Sequence, residues 1–261
     1  MNIGLVLSGG GMRGIAHIGV IRALEEHSIV PNHIAGSSVG AIVGALYAYG
    51  YDWKEMLDFF RTIQIFDLKK YALNKPGFID AEKFYDAFKL YLKEDDFSAL
   101  KKKLSVTATN VLNGQLYVFD SGELIKPILA SAAFPGVFAP VHINGSYYVD
   151  GGVLNNFPVN QLKNSCDAII GVYVNGYDTI EINDLKHSHN VVERVFKLKT
   201  VKEDLKKFKN CDIVIYPKQL AKYGTFDKKY LDEIYQIGYD ETNKQLANQQ
   251  LLDKIFHLKF G

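Results

Sequence analysis

The run His33-Ile34-Ala35-Gly36-Ser37-Ser38-Val39-Gly40-Ala41-Ile42-Val43-Gly44-Ala45-Leu46-Tyr47-Ala48-Tyr49 decides the fold. Residues 33–37 read as a short strand, and 38–49 are apolar nearly all round, as a buried helix is. The turn between them, Gly36-Ser37-Ser38-Val39-Gly40, fits the G-x-S-x-G nucleophile elbow with Ser38 at its centre. A nucleophilic serine needs a sharp strand-to-helix turn that exposes its oxygen. Glycines two positions to either side remove clashes where the backbone folds tightly. The helix that follows aims its positive N-terminal end at the site. An ordinary Gly/Ser turn has the same letters, so the flanking strand and helix are what favour the elbow.

The same alternation extends outward. Asn2 to Leu7 is a short apolar strand that ends at Ser8-Gly9-Gly10-Gly11, and Arg13 to His27 has helical spacing. Pro31 breaks the chain, and Asp52 is an N-cap for a helix through Arg61. Strand-helix-strand-helix order predicts a parallel sheet with right-handed crossovers. Ile63 to Gly77 reads as a loop and Asp80 to Lys93 as a helix. Strands at Leu104 to Val111 and Leu116 to Phe119 flank an Asn113-Gly114 turn. Glu123 to Ala133 is helical and stops before Pro135-Gly136. Val141 to Ile143 and Ser146 to Val149 flank Asn144-Gly145, and Ala168 to Val174 is a buried strand. Beyond Asn175, lysine-rich helices at Val191 to Lys209 and Asp227 to Leu252 surround a strand at Cys211 to Tyr216. No linker, repeat or low-complexity tract divides the chain, so residues 176–261 are expected to pack on the core of residues 3–175.

Composition narrows the function classes. The 261 residues are 48% hydrophobic and 23% charged, enough apolar content for a packed core. Two cysteines, Cys166 and Cys211, fit a reducing compartment and show no metal-ligand spacing. Thirty basic residues against 29 acidic give a net charge of +1, which argues against nucleic-acid binding through a large basic field. The stretch Ile29 to Tyr51 has no charged residue, but Pro31, Asn32, His33, Ser37 and Ser38 interrupt it. It is too broken for a span of about 20 apolar residues. The start of the chain lacks the charged, apolar and small-residue regions of a signal peptide. The expectation is a cytoplasmic protein, with peripheral contact at a membrane surface left open.

A second glycine cluster, Gly9-Gly10-Gly11-Met12-Arg13-Gly14, lies between the first strand and first helix. It matches the dinucleotide fingerprint G-x-G-x-x-G, yet that fingerprint expects an acid at the end of the second strand. Here that strand ends in Gly36-Ser37-Ser38, and Glu25 and Glu26 fall in the first helix. The other use of such a loop is an oxyanion hole, in which backbone N–H groups converge on a developing negative oxygen. Loops after neighbouring parallel strands open at the same sheet edge, so both glycine turns face one crevice. Arg13 either adds positive charge there or is a solvent-exposed first-turn residue. A serine also needs a base. His17, His33, His142, His187, His189 and His257 lie in no supporting motif. Asp150, in Val149-Asp150-Gly151-Gly152, ends a strand at a double-glycine turn; its other reading is a plain Asx turn.

Together these motifs resemble the patatin-like phospholipases. The resemblance rests on Gly9-x-Gly11-x-x-Gly14, Gly36-x-Ser38-x-Gly40 and Asp150-Gly151-Gly152. Ala130-Ser131-Ala132-Ala133-Phe134-Pro135-Gly136-Val137-Phe138-Ala139-Pro140-Val141 and Asn156-Phe157-Pro158 add to it. It covers roughly residues 3 to 175 and implies a three-layer α/β sandwich around a mostly parallel sheet. It also implies a lipid acyl hydrolase with a Ser-Asp dyad: Ser38 as nucleophile and Asp150 as its base. Gly9, Gly10, Gly11 and Gly14 would form the oxyanion hole, mainly through Gly10 and Gly11, with Arg13 nearby. No cofactor and no metal are implied, and no calcium-loop pattern is present. A carboxylate is a weak base for a serine unless burial raises its pKa.

The substrate implied is a phospholipid or other lipid ester. Phe59, Phe60, Phe66, Tyr71, Phe78, Phe84, Tyr85 and Phe88, with Lys69, Lys70 and Lys75 among them, suggest either a lipid-contacting cap over residues 59–88 or a helix pair that covers the sheet. A nucleotide-binding protein and a catalytically silent lipid-binding domain stay open as other classes. The first lacks its ribose acid, and the second does not explain why Ser38 and Asp150 are both present.

Overall fold

The computed structural model describes residues 1–63, 79–176, 179–185, 188–226 and 228–247. Within them eight strands form one sheet: β1 (Ile3–Leu7), β2 (His33–Ser37), β3 (Lys103–Asn110), β4 (Gln115–Phe119), β5 (Val141–Ile143), β6 (Ser146–Asp150), β7 (Ala168–Val172) and β8 (Ile213–Ile215). The order is β5-β6-β3-β2-β1-β7-β8, with β4 also paired to β3. β3, β2, β1, β7 and β8 run parallel, as the strand-helix alternation predicts. The hairpin strands β4 and β6 run antiparallel to β3 and make the sheet mixed.

The layers follow from the pleat. Leu5 and Leu7 of β1 face one core while Val6, between them, faces another. A strand covered on both faces reads as a continuous apolar run, which is why β1 shows no polar alternation. The larger core holds the helices α1 (Ala16–Glu26) and α2 (Val39–Tyr49); the smaller is built around Phe157, Leu162 and Tyr173. α3 (Trp53–Thr62) starts at a capping box: Asp52 accepts from Lys54 and Glu55 N–H, and Glu55 accepts from Asp52 N–H.

The helix expected over 80–93 is a 3₁₀ turn, Ala81–Phe84, followed by α4 (Tyr85–Tyr91). The Asp80 carboxylate caps the turn, and the Tyr51 hydroxyl takes the Tyr91 carbonyl, which ends α4 early. α5 (Ile125–Ser131), α6 (Gly152–Asn155), α7 (Ser188–Lys207) and α8 (Leu231–Leu246) complete the helices. α8 packs on α1, and β8 extends the sheet beside β7, so the C-terminal third shares the first core. The loop expected at 63–77, apart from Ile63, the far end of the helix expected at 227–252, and Phe66, Lys69, Lys70, Tyr71, Lys75 and Phe78 lie outside the described residues. Of the remaining cap aromatics, Phe59, Phe60, Phe84 and Phe88 are buried in the core.

One feature of the sheet sets up the site. Val106 and Thr107 of β3 pair with β2 on one edge and with β4 on the other. β2 ends at Ser37, opposite Thr107; β6 then takes over its edge, beginning with Asp150 opposite Ala108. The carboxyl ends of β2 and β6 therefore meet head to head on adjacent residues of β3.

Candidate active site

Ser38 is the turn residue that follows β2 and precedes α2. Its backbone sits at φ 54° and ψ −127°, a conformation that costs a non-glycine residue about 1–3 kcal/mol. The surroundings hold it there. Ser38 N–H donates to Ser131 Oγ at 2.8 Å, and the Ser38 carbonyl accepts the first bonds of α2, from Ala41 at 2.9 Å and Ile42 at 3.3 Å. The two flanking glycines are required by contact. A Cβ at Gly36 would lie 2.5 Å from Gly40 O, and one at Gly40 would lie 2.2 Å from Leu7 O.

Asp150 reaches the serine from the other strand end. Its N–H donates to Ala133 O at 3.0 Å, and its carbonyl accepts from Thr109 Oγ1 at 3.0 Å, so the backbone is fixed on both sides. Its Oδ1 accepts from Gly152 N–H at 2.7 Å, and its Oδ2 accepts from Ser38 Oγ at 2.7 Å. The carboxyl is 2% exposed. Burial pushes its pKa up to about 6, against the hydrogen bonds from Ser38 and Gly152 that pull it down. Gly151 packs on Thr107 and so keeps the turn tight against β3.

The first glycine loop faces this pair. Ser8 N–H donates to Val172 O and Gly9 N–H to Asn156 O, both at 3.1 Å, and Met12 N–H donates to Thr225 O at 2.7 Å. Between them, the N–H groups of Gly10 and Gly11 donate to no protein group among the described residues. Both residues line the cleft that holds Ser38 and Asp150. Gly9 packs against Ser38 and Asn156, and Gly14 packs against Val39, so these two seat the loop rather than line the cleft. The loop runs into a 3₁₀ turn, Gly11–Ile15, ahead of α1. Beneath it, His17 Nε2 bonds Ser8 O at 2.9 Å, and burial lowers the His17 pKa to about 4. His17 is thus a neutral support of the loop, donating from Nε2.

Arg13 is buried, 1% exposed, which overturns the solvent-exposed alternative. Its guanidinium lines the cleft and ties the loop to the C-terminal third. Nη1 donates to Tyr223 O at 2.9 Å; Nη2 donates to Asn175 Oδ1 at 2.8 Å and Thr225 Oγ1 at 3.1 Å. Glu193 stands 3.6 Å from Nη1, is bonded by Thr225 Oγ1, and pairs with Lys197 at 2.9 Å. Burial pushes Glu193 up, but Lys197 and Arg13 outweigh it and hold its carboxyl below the ordinary range. Burial brings Lys197 down to about 8. Two cations against one carboxylate leave this wall net positive. Phe134, Phe196 and Phe226 form an apolar flank, with ring centroids 5.3 and 5.9 Å apart.

The structure brings Gly10, Gly11, Arg13, Ser38 and Asp150 into one cleft. It also adds residues that sequence reasoning missed: Asn175, Glu193, Phe196, Lys197, Thr225 and Phe226. No local motif marks them. Asn156 and Ser131 lie in stretches that carried the family resemblance, without an assigned part. No histidine lines the cleft among the described residues. His187, His257 and the His189 side chain fall outside them. Glu25 and Glu26 are exposed at the end of α1 and line no part of the cleft, so neither stands as a ribose acid beside the glycine loop. Among the described residues, no cluster of three His, Cys, Asp or Glu is placed to hold a metal, and no helix is long and apolar enough to cross a membrane.

The family model described as patatin-like phospholipase matches residues 5–163. The chain belongs to the patatin-like phospholipase family. The match runs from β1 past α6 and contains both glycine turns, Ser38 and Asp150. The C-terminal wall of the cleft lies beyond it. An uncharacterized NTE family protein of Mycobacterium tuberculosis is 35% identical over 180 residues, 67% of this chain and 49% of its own length. Lysophospholipase NTE1 of Saccharomyces cerevisiae is 30% identical over 268 residues, 91% of this chain and 16% of its own. The chain thus spans about half the length of the mycobacterial relative and a small part of the yeast one. Among solved structures, VipD from Legionella pneumophila superposes with a TM-score of 0.55 over 97% of this chain and 67% of its own, at 19% identity. That likeness is one of fold: the patatin-like α/β sandwich, with helices on both sides of a mixed sheet.

Proposed function

We propose that this patatin-like chain is a lipid acyl hydrolase that works through Ser38 and Asp150. The observation that carries the reading is the 2.7 Å hydrogen bond from Ser38 Oγ to Asp150 Oδ2 at a strained, glycine-flanked elbow. A hydroxyl held against a buried carboxylate of raised pKa is a nucleophile beside its base. Ser38 Oγ attacks the ester carbonyl carbon as its proton passes to Asp150 Oδ2. The carbonyl oxygen becomes an oxyanion and takes the N–H groups of Gly10 and Gly11, which have no competing protein acceptor among the described residues. Ser38's own N–H is engaged by Ser131, so the oxyanion donors come from the loop. The tetrahedral species collapses, the alcohol leaves with the proton from Asp150, and the acyl group stays on Ser38. Water then attacks the acyl-enzyme, with Asp150 again as base, and releases the fatty acid.

The lipid part of the reading rests on the family and on the cleft. Phe134, Phe196 and Phe226 offer an apolar flank for an acyl chain, and Arg13 and Lys197 add positive charge to the same cleft. Yeast lysophospholipase NTE1, 30% identical, extends this expectation to lysophospholipid esters. The test is hydrolysis of p-nitrophenyl esters and lysophosphatidylcholine by the wild type, Ser38→Ala and Asp150→Asn. The wild type is expected to release fatty acid and both variants to lose activity. A Ser38→Ala variant as active as the wild type overturns the proposal.

A further inference from the structure

α7 has two unlike faces. Glu193, Phe196 and Lys197 turn to the cleft, and Thr200, Val201 and Asp204 are buried behind them. The opposite face exposes Val191 and Val192 (43% each), Val195 (60%) and Leu198 (49%). Positions 191, 195, 198 and 202 follow one another by four, three and four residues, a single stripe along a helix. Exposed Lys199, Lys202 and Lys206 continue it, with Glu203 paired to Lys206. Ile180 and Ile182, just upstream, are exposed as well. Seven of the fifteen exposed large apolar side chains among the described residues lie between Ile180 and Leu205. Surface apolar residues are ordinarily scattered singly, so this concentration marks an interaction surface.

We propose that the outer face of α7, with Val191, Val192, Val195 and Leu198 beside Lys199 and Lys202, docks on an anionic lipid bilayer. The charge pattern selects this occupant. A second copy of α7 set parallel opposes lysines to lysines; set antiparallel along the whole stripe it opposes valines to lysines, and slid until the valines meet it leaves Lys202 and Lys206 without an acidic partner on the other copy. An acidic protein answers the lysines but leaves the aliphatic stripe without a partner. A bilayer with anionic headgroups takes both, the side chains at the acyl boundary and the ammonium groups at the headgroups. Because α7 is also a wall of the cleft, docking holds that cleft within about 10 Å of the lipid, the thickness of one helix. The role as a delivery surface rests on the proposed hydrolase; the docking itself does not.

The test uses Ser38→Ala, so that no vesicle is consumed, sedimented with phosphatidylcholine vesicles and with about 3:1 phosphatidylcholine–phosphatidylglycerol vesicles. Binding is expected mainly to the mixed vesicles. Val195→Asp/Leu198→Asp is expected to weaken it about tenfold or more, and Lys199→Glu/Lys202→Glu to weaken it similarly and erase the phosphatidylglycerol preference. The same pairs in the Ser38 background should hydrolyse dispersed p-nitrophenyl butyrate like the wild type, which shows that they fold. Undiminished vesicle binding by both pairs overturns the proposal. So does a dimer of Ser38→Ala that binds no vesicles and dissociates in Val195→Asp/Leu198→Asp. Vesicle binding by a wild type that hydrolyses no ester supports the surface and overturns the hydrolase reading alone.

Discussion

Asp150 Oδ2 accepts the Ser38 hydroxyl at 2.7 Å, and no histidine stands between them. The proposed base is thus a carboxylate with a pKa pushed up to about 6 by burial. Below that pH it is protonated and takes no proton from the serine. The expected kcat/KM profile for a neutral ester rises with an apparent pKa near 6 and stays level through pH 8. A profile with no acidic limb between pH 5 and 7 contradicts the assignment of Asp150 as base.

The same shift bears on stability. A carboxyl whose folded pKa is raised holds its proton more tightly when folded. Its favourable contribution is complete near pH 4 and is lost as pH rises through 6. Asp150→Asn removes this loss and is expected to stabilise the protein at pH 7–8 by about 3 kcal/mol, with the gain shrinking toward pH 4. The comparison is of melting temperatures across that range. A gain that does not vary with pH contradicts the buried-carboxylate account.

His17 titrates in the opposite sense. Its folded pKa is lowered to about 4 by burial, so the stability it confers is present above pH 6.5 and is lost as pH falls toward 4. Between pH 4 and 6 it opposes Asp150. In His17→Phe this opposition is removed, and the melting temperature is expected to fall more, or rise less, from pH 4 to 6 than that of the wild type. A pH dependence equal to that of the wild type contradicts the prediction.

The elbow glycines are a steric requirement. In Gly40→Ala the new Cβ lies 2.2 Å from Leu7 O and 2.8 Å from Ser8 O, both backbone atoms. β1 or α2 must shift, at a cost of about 1–3 kcal/mol, and Ser38 shifts with it. The expected outcome is a lower melting temperature and loss of ester hydrolysis. Unchanged activity contradicts the account of the turn.

Arg13 is expected to be irreplaceable by lysine. Its planar fork serves Tyr223 O, Asn175 Oδ1 and Thr225 Oγ1 together, which one ammonium group does not match. Arg13→Lys should lower stability by about 2–4 kcal/mol and reduce activity, because the glycine loop loses its tie to the C-terminal wall. Denaturant titration measures this; a midpoint equal to the wild type contradicts it.

These residues also show how far the sequence can be read. Gly36, Ser38, Gly40, Asp150 and the Gly9–Gly11 loop were legible because each turn demands particular residues at fixed short spacing. β1 was legible because burial on both faces leaves an unbroken apolar run, and β2 because it leads straight into the glycine-flanked turn. The C-terminal wall was not. Glu193, Tyr223 and Thr225 meet Arg13 from about 180 to 212 positions away, and nothing local to them signals it. Arg13 itself reads as readily exposed as buried, because only its distant partners make burial tolerable. The helix expected at 80–93 broke into two pieces: Asp80 caps a local 3₁₀ turn through Glu82 N–H, and at the far end the Tyr51 hydroxyl, 40 positions away, takes the Tyr91 carbonyl with no local signal of it.

The central claim is that Ser38 carries the acyl group. It is tested most directly by treating the protein with a fluorophosphonate and mapping the adduct by peptide mass spectrometry. The account predicts one covalent adduct on the peptide that contains Ser38, absent in Ser38→Ala and reduced below pH 6. An adduct on another residue, or an active wild type that takes no label at Ser38, contradicts it.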